Sequence, residues 1–469
     1  MPPPQERSAA PGPFTELRAW LHHLAASGRL RVTRPGLALR HELAAVAKRL
    51  QAESAVLFPE PDGHSVPVVS NLLASRAWAG DAMGVFETDV SERYQAATQS
   101  PLPWTEVEDA PAQEMVHRAV DIRRLLPVPT HNEHDSGPYI TAGLLISRNP
   151  KTGVQNVSIN RCQISAPDRL GVLILPRHTF AFAEMAEAEN QPLAVAIVIG
   201  VDPLTLLASQ AITPIDHDEL EIAGSLHGAP LEVVKCVSSE LRVPARAEII
   251  LEGRLLPNVR EPEGPFGEFP QYYGPRSDQR VIQVDAITQR RKPIYHTIVG
   301  GGLEHLLLGG IPREATLLAF LRRSFPNVLD VHLSFGGVCR YHLFVRIDKH
   351  QEAQAKNIIL CAFAAHYDVK QVTVVDRDVD VHDPDQVQWA VATRFQASRD
   401  LLVIPEAQGS KLDPSARDGV SAKMGLDATV PAGADPFTFT RIRVPGEEQV
   451  DLEAVLAQDP DALIRRSIE

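Results

Sequence analysis

The chain has 469 residues, 44% hydrophobic and 22% charged, with a formal net charge of −13. That length exceeds what one hydrophobic core usually serves, so two or three domains are expected, and the acidic balance excludes a broad nucleic-acid or anionic-membrane surface. The N-terminal MPPPQERSAAPGPF lacks the apolar centre of a secretion signal, and no later stretch is long and apolar enough to span a bilayer. Cys162, Cys236, Cys339 and Cys361 are too dispersed for a disulfide framework or a thiolate zinc site, so a reducing, cytoplasmic setting is expected.

In chain order, Leu17, Trp20, Leu21 and Leu24 recur at helical spacing ahead of Gly28, which predicts an amphipathic helix with a glycine stop. A second helical pattern covers 41–50, and β-rich runs follow at 55–58 and 66–71. Residues 1–110 therefore read as a small α/β unit, closing in the proline-rich stretch between Pro101 and Pro111. From 111 to 312 short strand-like runs dominate, at 139–147, 156–164, 171–175, 193–199, 231–237, 247–255 and 281–288, with helices at 179–188 and 217–223. That pattern predicts a barrel or sandwich carrying α/β elaborations. Residues 313–469 alternate helix and strand (314–325, 341–345, 351–366, 371–375, 386–393), the signature of another α/β domain, and 450–468 reads as a docking helix.

Several segments could carry chemistry. QNVSINRCQ holds Asn156 and Arg161 on a strand-like run, and LPRH ends in His178 shortly after. An amide oxygen, an imidazole and a later carboxylate would suit a magnesium- or manganese-like ion, although asparagine and histidine at strand ends are also ordinary turn chemistry. In ASQAITPIDHDELEIAG, Glu219 and Glu221 open a helix, where carboxylates also simply complement the macrodipole. EPEGPFGE is more pointed, because proline and glycine force a bend that can turn Glu263 and Glu268 toward one cleft, as general acid/base work requires. Arg161 could keep one of these ionised or clamp a substrate carboxylate. The glycines of HTIVGGG and Lys423 in GVSAKMGLDAT could approach a ring or phosphate, a loop being the default. The acidic run VDRDVDVHDPDQVQWA reads as a solvated loop before a helix rather than a metal site.

Together NVSINRCQ, LPRH, DELEIAG, VPARAEIILEG, EPEGPFGE, VDRDVDVHDPDQVQWA and KMGLDAT resemble, in order, the motifs of the UbiD family of reversible decarboxylases. The resemblance implies a multidomain α/β protein whose central domain is split-barrel-like and binds prenylated flavin mononucleotide through a divalent metal and a nearby potassium ion. It makes Asn156, His178 and Glu219 the expected ligands of Mn2+ or Mg2+, Glu219 being preferred to Glu221, and puts Ala208, Ser209 and Glu219 beside K+. Thr141, Ser158, Ile159, Arg161, Arg177, Ser209 and Lys423 match cofactor contacts. Arg161, Glu263 and Glu268 match the catalytic arginine and glutamates, with Glu268 the expected proton donor. Two departures concern the flavin surroundings: Arg177 stands where some members carry glutamine, and Gly300–Gly302 replaces a region where others have a cysteine.

Breaking a carbon–carboxylate bond leaves carbanion charge that no ordinary side chain delocalises, which is why a cofactor must act as electron sink. By analogy Leu306, Leu307 and Leu308 would line an apolar substrate pocket, with an unsaturated or (hetero)aromatic acid as substrate. A flavin prenyltransferase would supply the cofactor, and a homodimer or hexamer is expected. The competing expectations are a split-barrel flavin oxidoreductase, which gives the glutamates of EPEGPFGE no task, and a non-catalytic assembly subunit, which need not keep Arg161, Glu263 and Glu268.

Overall fold

The structure is a computed structural model and describes residues 11–456. In the N-terminal unit, α1 (Leu17–Ala26) buries Leu17, Trp20, Leu21 and Leu24 and ends ahead of Gly28, whose φ of 72° suits glycine. The unit continues with β1 (Leu30–Val32), α2 (Glu42–Leu50), β2 (Ala55–Phe58) and β3 (Val68–Ser70). These strands form a small sheet whose fourth member comes from far along the chain, Tyr295–His296 paired parallel to β3.

The central unit is a nine-stranded sheet. Its strands on the main path are β4 (Tyr139–Ile140), β5 (Leu144–Arg148), β6 (Gln155–Ile159), β7 (Cys162–Ala166), β8 (Arg169–Val172), β9 (Leu193–Ile199), β10 (Ile249–Glu263) and β11 (Ser277–Gln289). They lie in the order β4-β7-β8-β11-β10-β9-β5-β6, with Met115–His117 pairing off the path onto β11. The run 156–164 is thus two strands rather than one. β6 is an edge strand and β7 stands beside the opposite edge, yet only Asn160 and Arg161 separate them. Three peptide steps reach on the order of 11 Å, so the sheet curls until its edges are neighbours while remaining open, as a split barrel does. Helices α3 (His178–Ala188), α4 (Pro203–Ala208) and α5 (Glu219–His227) elaborate it.

Helix α6 (Leu303–Ser324) passes through residues 312 and 313 and begins well before the helical pattern read at 314–325. Gly309, Gly310 and Pro312 lie inside the helix, which buries Leu306, Leu307, Leu308 and Ile311, and this packing overrides local propensity. The C-terminal sheet follows as β12 (Val328–Leu333), β13 (His342–Ile347), β14 (Gln371–Asp376), β15 (Leu401–Gln408) and β16 (Val420–Ala428), in the order β12-β13-β14-β16-β15. α7 (Gln354–Ala365) packs against it. The acidic run is a loop before a helix: Arg394 bridges Asp376 (2.9 Å) and Asp378 (2.7 Å), and His382 lies 3.1 Å from Asp330. Of the expected docking helix only Leu452–Val455 falls within the described residues; positions 457–469 lie outside them.

All four cysteines are free thiols, and among the described residues no helix is long and apolar enough to cross a membrane.

Candidate active site

Arg161 sits at the seam where the two edges of the curled sheet approach. Its Nε and Nη2 donate to the two carboxylate oxygens of Glu263 at 3.0 and 2.9 Å, and Nη1 donates to Glu268 Oε1. Glu263 ends β10 and is fully buried, and Gly264 then turns the chain at φ 86° into the short hairpin that carries Glu268. A Cβ at Gly274 would come within 3.2 Å of Arg161 Nη1 and 3.5 Å of Glu268 Cγ, so glycine there admits the pair. Burial lifts the Glu268 carboxyl above its ordinary range; Arg161 pulls it down, and Glu263 and Asp135 push it up. With Glu263 occupying one edge of the guanidinium bidentately, burial outweighs the pull of Arg161 and the net direction for Glu268 is upward. The arrangement is one fixed carboxylate, one orienting arginine and one buried acid facing a cavity of about 860 Å³.

The same cavity is lined by Thr141, Asn156, Ser158, Ile159, Arg177, His178, Ser209, Glu219 and Leu308, which the sequence reading had singled out. His178 opens α3, and its Nδ1 lies 3.0 Å from Asn156 Oδ1, while the Asn156 amide donates to Thr179 at 2.9 Å. Burial, with the charge of Arg177, holds His178 below its usual range, leaving a neutral imidazole. Glu219 opens α5 behind the N-cap Asp218 and accepts from the Val157 amide at 2.6 Å and from the Thr213 hydroxyl at 3.3 Å. Burial pushes its pKa up to about 8. A buried carboxyl facing an amide oxygen and a neutral imidazole across one cavity fits a hard divalent cation, whose charge would offset that desolvation. Among the described residues no three His, Cys, Asp or Glu side chains cluster to hold a metal; this set has two, completed by an amide. Glu221 does not line the cavity.

Other residues stand differently. Ala208 is buried, its carbonyl accepting from Ala211 N–H at 3.0 Å, and the backbone of its neighbour Ser209 caps the same helix. Lys423 lies on β16, donates to the carbonyls of Tyr367 (2.8 Å) and Val369 (2.6 Å), and lines an adjoining cavity of about 740 Å³ together with Arg177 and His178. Of the three leucines only Leu308 reaches the main cavity; Leu306 and Leu307 are packed in the cores. Sequence reasoning missed His305, Arg313, Arg340 and Asp368, which also line the main cavity. They come from α6 and from loops of the C-terminal unit, and no spacing rule connects them.

Comparison with known proteins follows the whole chain. The models for the N-terminal, Rift-related and C-terminal domains of 3-octaprenyl-4-hydroxybenzoate carboxy-lyase match residues 21–98, 105–303 and 306–428. Anhydromevalonate phosphate decarboxylase of Methanothermobacter thermautotrophicus is 41% identical over 374 residues, which cover 79% of this chain and 88% of that protein. The structure of the UbiD-class enzyme HmfF from Pelotomaculum thermopropionicum in complex with FMN matches at TM-score 0.93 and 48% identity, covering 94% of this chain and 100% of that one. An evolved dimeric form of HmfF in complex with prFMN matches at 0.89 and 45%, with coverages of 94% and 100%.

Proposed function

The chain belongs to the UbiD family of carboxy-lyases, and we propose that it decarboxylates, without net oxidation and reversibly, an α,β-unsaturated or (hetero)aromatic carboxylic acid on prenylated FMN. The observation that carries this reading is Arg161 joined to both Glu263 and Glu268 at the wall of one large cavity. The bound flavin would supply the electron sink for carbanion charge. Arg161 orients the substrate carboxylate, Glu263 fixes Arg161, and Glu268 delivers the proton to the carbon that CO2 leaves.

Asn156, His178 and Glu219 would hold Mn2+ or Mg2+ against the cofactor phosphate, with K+ beside Glu219, Ser209 and the backbone of Ala208. Thr141, Ser158, Ile159, Arg177 and Lys423 would contact the cofactor. Support for the metal set is the buried Glu219 carboxyl, which no cationic side chain pairs among the described residues, and the His178 imidazole, which burial holds below its usual range. A flavin prenyltransferase would provide the cofactor, and the enzyme would work in the cytoplasm as a homodimer or hexamer.

The test is co-expression with a flavin prenyltransferase, the absorbance spectrum and mass of the bound cofactor, and a CO2-release screen over acrylic, benzoic and heteroaromatic acids. Release that requires the prenylated form supports the reading. Full turnover with plain FMN, or a loaded protein that releases CO2 from no acid, overturns it.

A further inference from the structure

We propose that His131 is a positioning residue of this site: acting through Thr297, it orients the Thr141 hydroxyl so that Thr141 presents a hydrogen-bond donor to the cavity, for an acceptor atom of the flavin ring. This goes beyond Thr141 as a cofactor contact, and it rests on the flavin reading. His131 is 5% exposed and stands in the loop ahead of β4. Thr297 is fully buried within HTIVGGG, and Thr141 directly follows β4 and lines the main cavity. His131 Nε2 lies 2.7 Å from Thr297 Oγ1, and Thr297 Oγ1 lies 3.1 Å from Thr141 Oγ1. The Ile298 amide donates to Thr141 Oγ1 at 2.9 Å. Among the described residues these three side chains make no other hydrogen bond.

Each hydroxyl has one hydrogen, so this short chain runs in one of two directions. If Thr141 donated to Thr297 and Thr297 to His131, Nε2 would accept and the imidazole proton would sit on Nδ1. Nδ1 is buried with no partner among the described residues, and folded proteins tolerate a bare lone pair in such a place more readily than an orphaned N–H. Burial pulls the His131 pKa down to about 4, so the ring carries a single proton at neutral pH. That proton therefore sits on Nε2: His131 donates to Thr297, and Thr297 donates to Thr141. The lone pairs of Thr141 Oγ1 are then taken by Thr297 and the Ile298 amide, which leaves its hydrogen alone for the cavity. The loop bearing His131 is pinned from the other side, since Asp135 accepts from the amides of Asn132 at 2.8 Å and Gly267 at 2.9 Å, Gly267 being the residue before Glu268. A donor at a ring acceptor draws electron density from the flavin and so favours uptake of carbanion charge.

The test has one arm without cofactor and one with plain FMN and Mn2+. In the first, solid-state NMR of the 15N-histidine-labelled protein, with the His131 signals assigned by their loss in His131→Gln or His131→Phe, should show Nε2 protonated and Nδ1 bare. A proton on Nδ1 overturns the proposal. In the second, Thr141→Val keeps the side-chain shape and removes the hydroxyl, so it should lower the reduction potential of bound FMN and weaken FMN binding by about 2–10-fold, the worth of one hydrogen bond. His131→Phe should reproduce the fall in potential, because Thr297 then receives no donor and Thr141 turns its hydrogen toward Thr297. His131→Gln, whose amide can donate, should restore part of it. The falls should not add when Thr141→Val and His131→Phe are combined, since both act on one hydrogen bond. A potential unchanged in Thr141→Val overturns the donor role even if His131→Phe fails to fold, and additive falls overturn the relay. Failure of wild type to bind FMN, with Nε2 protonated, would instead count against the flavin reading.

Discussion

Glu268 and Glu263 share one arginine, yet their settings differ. Glu263 is fully buried and accepts two hydrogen bonds from Arg161, whereas burial lifts Glu268 above the carboxyl value of 4.5. A general acid must be protonated, so turnover should fall as pH rises through this raised pKa, and Glu268→Gln should remove that limb along with ~10²–10⁴-fold of the rate. The flavin spectrum should not change. The expected check is a pH–rate profile with solvent deuterium exchange into product under CO2; a variant that still exchanges at the wild-type rate means another group carries the proton. His178→Ala should in turn lose bound flavin while the circular dichroism stays native, and equal flavin content would remove His178 from the metal set. Glu263 and Glu268 were legible because proline and glycine in EPEGPFGE announce a bend between two carboxylates. His305 and Arg340 were not, since a histidine in a leucine-rich helix and an arginine after a cysteine carry no signal until α6 and the C-terminal unit close on one cavity.

The curl that brings the sheet edges to Arg161 depends on local irregularities in the long β10–β11 pair. Its register shifts between Glu252 and Gly253, and a Cβ at Gly253 would lie 2.1 Å from the Gln283 carbonyl oxygen. That obstacle is backbone, so it cannot swing aside as a side chain would, and bulges of this kind bend a strand and sharpen its twist. Gly253→Ala should therefore cost about 1–3 kcal/mol, the range of overpacking, read as a lower denaturant midpoint, and it should weaken activity because Glu263 ends the same strand. An unchanged midpoint would mean that the bulge is not needed to seat the hairpin. Strand existence was legible from β-branched runs such as 193–199. What period-2 patterning could not supply was pairing: the two-residue break at Asn160 and Arg161 carries no turn signal of the glycine or proline kind, and only the sheet order reveals it as the seam. Helix α6 begins earlier than the pattern at 314–325, and its Gly309 and Gly310 lie close against Arg340 and Cys339.

Across the molecule, one cavity is walled by the central unit, α6 and the C-terminal unit. Thr141, Ser158 and His178 come from the central sheet and its first helix, Leu308 and Arg313 from α6, and Asp368, Gln408 and Ser410 from the C-terminal unit. The N-terminal unit fixes α6 in turn: the amides of Asn71 and Leu72 donate to Glu304 at 2.8 and 2.9 Å, and His296 lies 3.1 Å from the same carboxylate. A cofactor in such a place ties separate units together, and a ligand that binds only the folded form stabilises it by about 2.7 kcal/mol at a hundredfold excess over Kd. Because several units need not unfold as one, hydrogen exchange resolved by segment is the proper readout. Loading with prenylated FMN and Mn2+ should slow exchange at 156–161, 303–313 and 408–420 together, and chelation of the metal should reverse it in all three. Plain FMN with Mn2+ should protect these same segments, since the phosphate and metal contacts are shared, but should give no CO2. Protection confined to 156–161 would mean that α6 and the C-terminal unit do not close over the cofactor.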